Sequence, residues 1–122
     1  MRLILIFFFS LLIIACNNND DKTTMENCDC GNSKLVGAFQ PTKVDDDARK
    51  ATALIIKTMG TPLKLKEILS VKTQVVAGLN YLIVFSLSDG SEWEGIVYRD
   101  LDQNYNVTQA AKPTKYKPCK CD

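Results

Sequence analysis

The sequence predicts an α+β domain in which one helix packs on a four- to five-stranded antiparallel β-sheet. Three observations carry this expectation. A single helical apolar stripe follows a run of aspartates. A series of period-two apolar runs comes after it. The connections between those runs are too short for anything but antiparallel neighbours. With 122 residues the chain holds one domain at most.

Each element has its own signal. Asp45-Asp46-Asp47 places acids at the positive end of a helix dipole and supplies an N-cap. Ala48, Ala51, Leu54, Ile55 and Met59 then recur at three- and four-residue spacing, and Gly60 and Pro62 stop the helix. The run from Lys64 to Gln74 carries Leu65, Ile68, Leu69 and Val71. From Leu79 to Ser88, Leu79, Tyr81, Ile83, Phe85 and Leu87 share one face, with Leu82 and Val84 on the other. Asp89-Gly90 is a hairpin turn signal, and Glu92 to Asp100 then alternates Trp93, Gly95 and Val97 against Ile96 and Tyr98. A weaker run, Tyr105 to Ala111, makes a last strand, and Ala38 to Thr42 a short one ahead of the helix.

Charge and composition exclude several functions. The chain contains no His, so neither a Ser-His-Asp nor a Cys-His catalytic set exists, nor a His-based metal site. Fifteen Lys+Arg against 14 Asp+Glu give no electrostatic ground for nucleic-acid binding. A small enzyme on this helix-on-sheet shape would need a carboxylate base such as Asp100 or Glu67, and neither has a partner in sequence. The expectation is a monomeric non-enzyme with no cofactor.

The N-terminal segment reads as an export signal. Met1-Arg2 is a minimal basic region, and Leu3 to Ala15 is apolar apart from Ser10. That run is shorter than the roughly 20 residues a spanning helix needs. It ends in Ile13-Ile14-Ala15-Cys16, which resembles the bacterial lipoprotein signal; an ordinary secretory signal or a short anchor helix is the alternative. The resemblance implies lipid on Cys16, a membrane partner and a place in the bacterial cell envelope, at the outer membrane or cell surface. Two or more acyl chains suffice for stable anchoring. The expected organisation is a signal over 1–15, a polar tether over 16–33 beginning Asn17-Asn18-Asn19-Asp20-Asp21, and a folded domain over 34–122. Losing 1–15 removes Arg2 and no acid, which leaves 14 basic against 14 acidic side chains.

Four further cysteines, Cys28, Cys30, Cys119 and Cys121, stand as two Cys-x-Cys pairs at the ends of the folded part. Export favours disulfides; a four-thiolate zinc or copper site is the other reading, although zinc pairs usually have two or more residues between them. The stretch from Lys112 to Cys121 includes Pro113 and Pro118, which favour an extended path, and can span about the length of a ten-residue strand. The tail can therefore fold back toward the N-terminal pair, and the expected disulfides join one pair to the other.

Gln74-Val75-Val76-Ala77-Gly78, between the first two long strands, matches the Gln-x-Val-x-Gly signature of the cystatins, reversible inhibitors of papain-like cysteine proteases. Leu35-Val36-Gly37-Ala38 lies upstream, where that family carries its N-terminal glycine, with the helix between the two. The resemblance spans about Lys34 to Ala111 and is closer to the stefin branch, because no Cys lies between Cys30 and Cys119. It implies a protease-binding wedge of three parts. These are the trunk Leu35, Val36 and Gly37, the loop Gln74, Val75, Val76, Ala77 and Gly78, and a second loop at Leu101 and Asp102. Many secreted cystatins have Pro-Trp in that second loop, and an Asp cannot supply the flat apolar area of a Trp. The alternative within the same fold is a non-inhibitory binding module that docks another envelope protein or peptide.

Overall fold

The computed structural model describes residues 36–118. The segments expected to be signal and tether, Leu35, and the cysteines at 16, 28, 30, 119 and 121 lie outside the described residues. The element order is β1 (Gln40–Pro41), α1 (Asp46–Met59), β2 (Leu65–Val76), β3 (Gly78–Leu87), β4 (Glu92–Arg99) and β5 (Tyr105–Pro113). The strands form one five-stranded sheet in the order β1-β2-β3-β4-β5, with every neighbouring pair antiparallel. Among the described residues no helix is long and apolar enough to cross a membrane.

The helix begins and ends where its caps dictate. Asp45 accepts a hydrogen bond from the Ala48 backbone N–H at 2.7 Å and so satisfies one of the helix's unpaired donors. Gly60 sits in the left-handed conformation at the other end, its N–H donating to the Lys57 carbonyl. Ala48, Ala51, Thr52 and Ile55 are the buried residues of α1. Three of them belong to the apolar stripe. Thr52 does not, and it is accommodated because its hydroxyl donates to the Ala48 carbonyl at 2.7 Å.

The core lies between that helix and one face of the sheet. Val71, Tyr81, Ile83, Phe85, Leu87 and Val97 face Ala48, Ala51 and Ile55. Small residues bring the two layers together. A Cβ on Gly95 would stand 3.0 Å from the Ile55 Cδ1, so the helix crosses the sheet directly over a residue with no side chain. The strand that pairs with β2 before the helix is shorter than the run Ala38 to Thr42, because the ladder consists only of Gln40↔Thr73 and Pro41↔Lys72. Pro41 has no N–H to give, and the last backbone bond to β2 runs from the Thr42 N–H to the Val71 carbonyl at 3.0 Å.

The hairpin between β2 and β3 is tighter than its loop-like sequence suggests. Pairing continues through Gln74↔Asn80, Val75↔Leu79 and Val76↔Gly78, which leaves Ala77 alone between the strands. Gln74, Val75 and Val76 are thus strand residues, and Gly78 opens β3. Register then fixes the ends of the sheet. Leu79 lies opposite Arg99, so the β4–β5 connection sits at the same end as Ala77. Trp93 pairs with Pro113, so β5 finishes at the far end.

Candidate functional site

Among the described residues, one end of the sheet gathers four of the six exposed large hydrophobic side chains, the other two being Val44 and Leu65. Val36 is fully exposed, Val75 and Leu101 are each 75% exposed, and Val76 is 44% exposed. These come from the segment before β1, the end of β2 and the β4–β5 connection. Val75 and Val76 are small and apolar, so little polar surface is desolvated when they enter a narrow cleft. Asp102 lies exposed beside Leu101. Leu35, the other trunk residue expected to contribute, is outside the described residues.

The segment carrying Val36 is held by a side chain rather than by the β1–β2 ladder alone. Gln74 Nε2 donates to the Gly37 carbonyl at 2.8 Å, and Gln74 Oε1 accepts from Asn80 Nδ2 at 2.9 Å. Gln74 therefore ties the trunk to the hairpin. Gly37 itself has a φ of +84°, in the region that favours glycine.

Gly78 is required twice over. Its φ is +113°, and a Cβ there would stand 2.2 Å from the Arg99 carbonyl oxygen and 3.1 Å from the Tyr98 ring. The turn thus lies directly on the end of β4. Tyr98 completes the contact, its hydroxyl donating to the Ala77 carbonyl.

The second connection is a closed turn built on one carboxylate. Asp100 Oδ1 accepts from the backbone N–H of Asp102 at 2.9 Å and of Asn104 at 2.8 Å, and Oδ2 accepts from Asn104 Nδ2 at 3.0 Å. Asp100 N–H donates to the Asn104 carbonyl, and Gln103 N–H to that of Asp100. This pattern projects Leu101 from the tip. The Asn104 backbone and side-chain amides hold the Asp100 carboxyl below its ordinary range, with Asp102 N–H adding to the effect. The Asp100 carboxylate is thus committed to closing the turn.

Beneath this end, the helix N-terminus is locked to β4. Arg99 pairs with Asp47 Oδ2, while Asp47 Oδ1 accepts from the Tyr105 hydroxyl at 2.8 Å. Arg99 also lies 5.8 Å from the centre of the Tyr81 ring. The Tyr105 hydrogen bond holds the Asp47 carboxyl below its ordinary range against the opposing effect of burial, with Arg99 and Lys50 assisting. Burial pushes the Tyr105 and Tyr81 phenols up.

Sequence reasoning brought Gly37, Gln74 to Gly78 and Leu101-Asp102 to one end, and the fold places them together there. It missed Asn80, Tyr98, Arg99 and Tyr105. A signal for two of these was available. A hairpin centred on Ala77 sets Asn80 opposite Gln74, and one centred on Asp89 sets Tyr98 opposite Asn80. Among the described residues no group of three or more His, Cys, Asp or Glu side chains could hold a metal ion.

Comparison with known proteins identifies the family. Residues 39–119 match the family model described as Cystatin domain. No curated protein matches the chain. Among solved structures, a secreted type 1 cystatin from Fasciola hepatica is similar at 28% sequence identity, covering 71% of this chain and 100% of that one, with a TM-score of 0.45.

Proposed function

The chain belongs to the cystatin family, a family of protease inhibitors rather than enzymes, and from that premise we propose that it is a reversible, competitive inhibitor of papain-like cysteine proteases. The observation that carries this reading is the concentration of Val36, Val75, Val76 and Leu101 at one end of the sheet, exposed on a backbone that is already ordered. Burying Val36, Val75 and Leu101 in a cleft supplies about 1.5 kcal/mol or more for each. Little conformational entropy is lost on docking, because trunk and turns are already tied. Inhibition is occlusion: the apolar edge fills the slot in which a substrate would lie, and no bond of the inhibitor is presented for attack. Steady-state assays with papain and cathepsins test it. A fall in rate that substrate competes away supports the reading; no inhibition at micromolar concentration overturns it and leaves a non-inhibitory binding module.

The same proposal extends to the chain's place and covalent state, and here the support is the sequence. Lipid on Cys16 anchors the domain in the bacterial envelope, the polar segment 16–33 holds it off the membrane, and disulfides join Cys28 and Cys30 to Cys119 and Cys121. Palmitate labelling that disappears in Cys16→Ser tests the anchor. Non-reducing mass spectrometry of peptides cut between Lys57 and Lys112 tests the staple, which fails if the terminal peptides separate without reductant.

A further inference from the structure

Two side chains at the wedge end have no part in the apolar contact, yet each controls something that does. Gln74, Asn80 and Tyr98 stand at one level across β2, β3 and β4, since Gln74 pairs with Asn80 and Asn80 with Tyr98. Their neighbours Tyr81 and Val97 are buried against the helix, so this row lies on the opposite, outward face of the sheet. From it, Gln74 reaches the trunk at Gly37 and Tyr98 reaches the turn at Ala77.

We propose that Asn80 and Tyr98 are positioning residues of the inhibitory edge, Asn80 acting on the trunk and Tyr98 on the first turn. The inference rests on the protease reading of that edge and deepens it. For Asn80 the argument is one of donors and acceptors. A glutamine amide has one accepting oxygen and one donating nitrogen. Asn80 Nδ2 donates to Gln74 Oε1 at 2.9 Å, and this engages the oxygen and turns Nε2 toward the Gly37 carbonyl. Without a donor at position 80 only the Gly37 carbonyl favours that orientation, and an acceptor there favours the flipped amide, which would set oxygen against oxygen at Gly37. For Tyr98 the argument is one of reach. Ala77 is the sole residue between β2 and β3, and its carbonyl takes the phenol hydrogen while the Tyr98 ring lies against Gly78. The peptide from Ala77 to Gly78 therefore holds one orientation, and with it the attached Val76. Strand β4, which continues into the second turn at Asp100, thus also supports the first.

The test uses Asn80→Asp, whose carboxylate can only accept and so turns the Gln74 amide over, and Tyr98→Phe, which removes one hydroxyl. Each is expected to raise Ki for papain about fivefold, the scale of one lost hydrogen bond, with the melting temperature held within a few degrees. A change that was merely structural would add to any other variant. Here Asn80→Asp should lose its effect in a Val36→Gly background, where the trunk offers no anchor, while Tyr98→Phe keeps its fivefold. In the free protein, Asn80→Asp should shift the Gln74 side-chain NH₂ signals, and Tyr98→Phe the Ala77 carbonyl carbon. Unchanged Ki in either variant, or an Asn80→Asp effect that is equal in the two backgrounds, overturns the proposal. If the wild-type chain does not inhibit papain, the protease reading falls, and the two NMR signals decide alone: shifts as stated uphold the positioning roles, and still signals overturn them.

Discussion

Replacing Gly78 by alanine separates two costs that glycine avoids, and Gly90→Ala provides the internal standard. Both glycines have positive φ, +113° and +82°. At Gly90 an added Cβ meets nothing within 4 Å, so the cost is conformational alone, about 1–2 kcal/mol. At Gly78 the same strain applies, and the Cβ would also lie 2.2 Å from the Arg99 carbonyl oxygen. A carbon approaches a carbonyl oxygen no closer than about 3.3 Å, so turn and strand must separate by roughly 1 Å. The obstacle is backbone, not a side chain that can swing aside, and forced separation of packed groups costs about 1–3 kcal/mol more. Gly78→Ala should therefore destabilise by roughly 2–5 kcal/mol in total, a large share of the 5–15 kcal/mol typical of a small domain. Urea titration of wild type and both variants measures this as a shift in midpoint at constant slope. The reasoning is refuted if Gly78→Ala is no more destabilising than Gly90→Ala, for then the turn does not rest on Arg99. Where the variant stays folded, the moved turn displaces Val76 and Ala77, and inhibition should weaken along with stability.

Other expected outcomes concern contact and charge. Val75→Asp should leave the melting temperature within a degree or two, since Val75 is exposed, and should abolish inhibition of papain, because an unpaired carboxylate in the cleft costs several kcal/mol; inhibition within tenfold of wild type would mean the edge is misplaced. Leu101→Ala should weaken binding by about 1–2 kcal/mol and Asp102→Ala by less than about 1 kcal/mol, in titrations at fixed ionic strength, because the leucine is the apolar tip and the aspartate lies at its rim. Asp47→Asn should destabilise in a pH-dependent way. The folded carboxyl titrates below its ordinary 3.8, so in acid the unfolded state binds the proton more readily. The wild-type advantage is then full above about pH 3.8 and disappears as pH falls through the lower folded value. Equal penalties in urea titrations at neutral pH and near pH 2 would refute this.

The elements visible in the sequence were those whose determinants are local. Asp45 caps the helix through a contact three residues away, and Gly60 closes it through another. The alternation of Tyr81, Ile83, Phe85 and Leu87 declares a strand and its buried face, and all four are buried against the helix. Thr52 escaped because its hydroxyl is satisfied by its own helix, which hydropathy does not register. Arg99 and Tyr105 escaped for a different reason: their partner Asp47 is more than fifty residues away, and the pairing depends on where the helix crosses the sheet. That crossing is itself set by Gly95 under Ile55, a contact no periodicity reveals. Asn80 and Tyr98 lie between these cases. Their positions follow from two hairpin centres, which burial fixes together with turn chemistry. Slipping β4 by one residue would carry Val97 to solvent and Tyr98 into the core. The register that brings the Tyr98 hydroxyl to Ala77 is therefore the register that buries Tyr81, Ile83 and Val97. The candidate site owes its geometry to core residues on the opposite face of the sheet, which is why a short motif at the turn reveals where the site is and not what holds it.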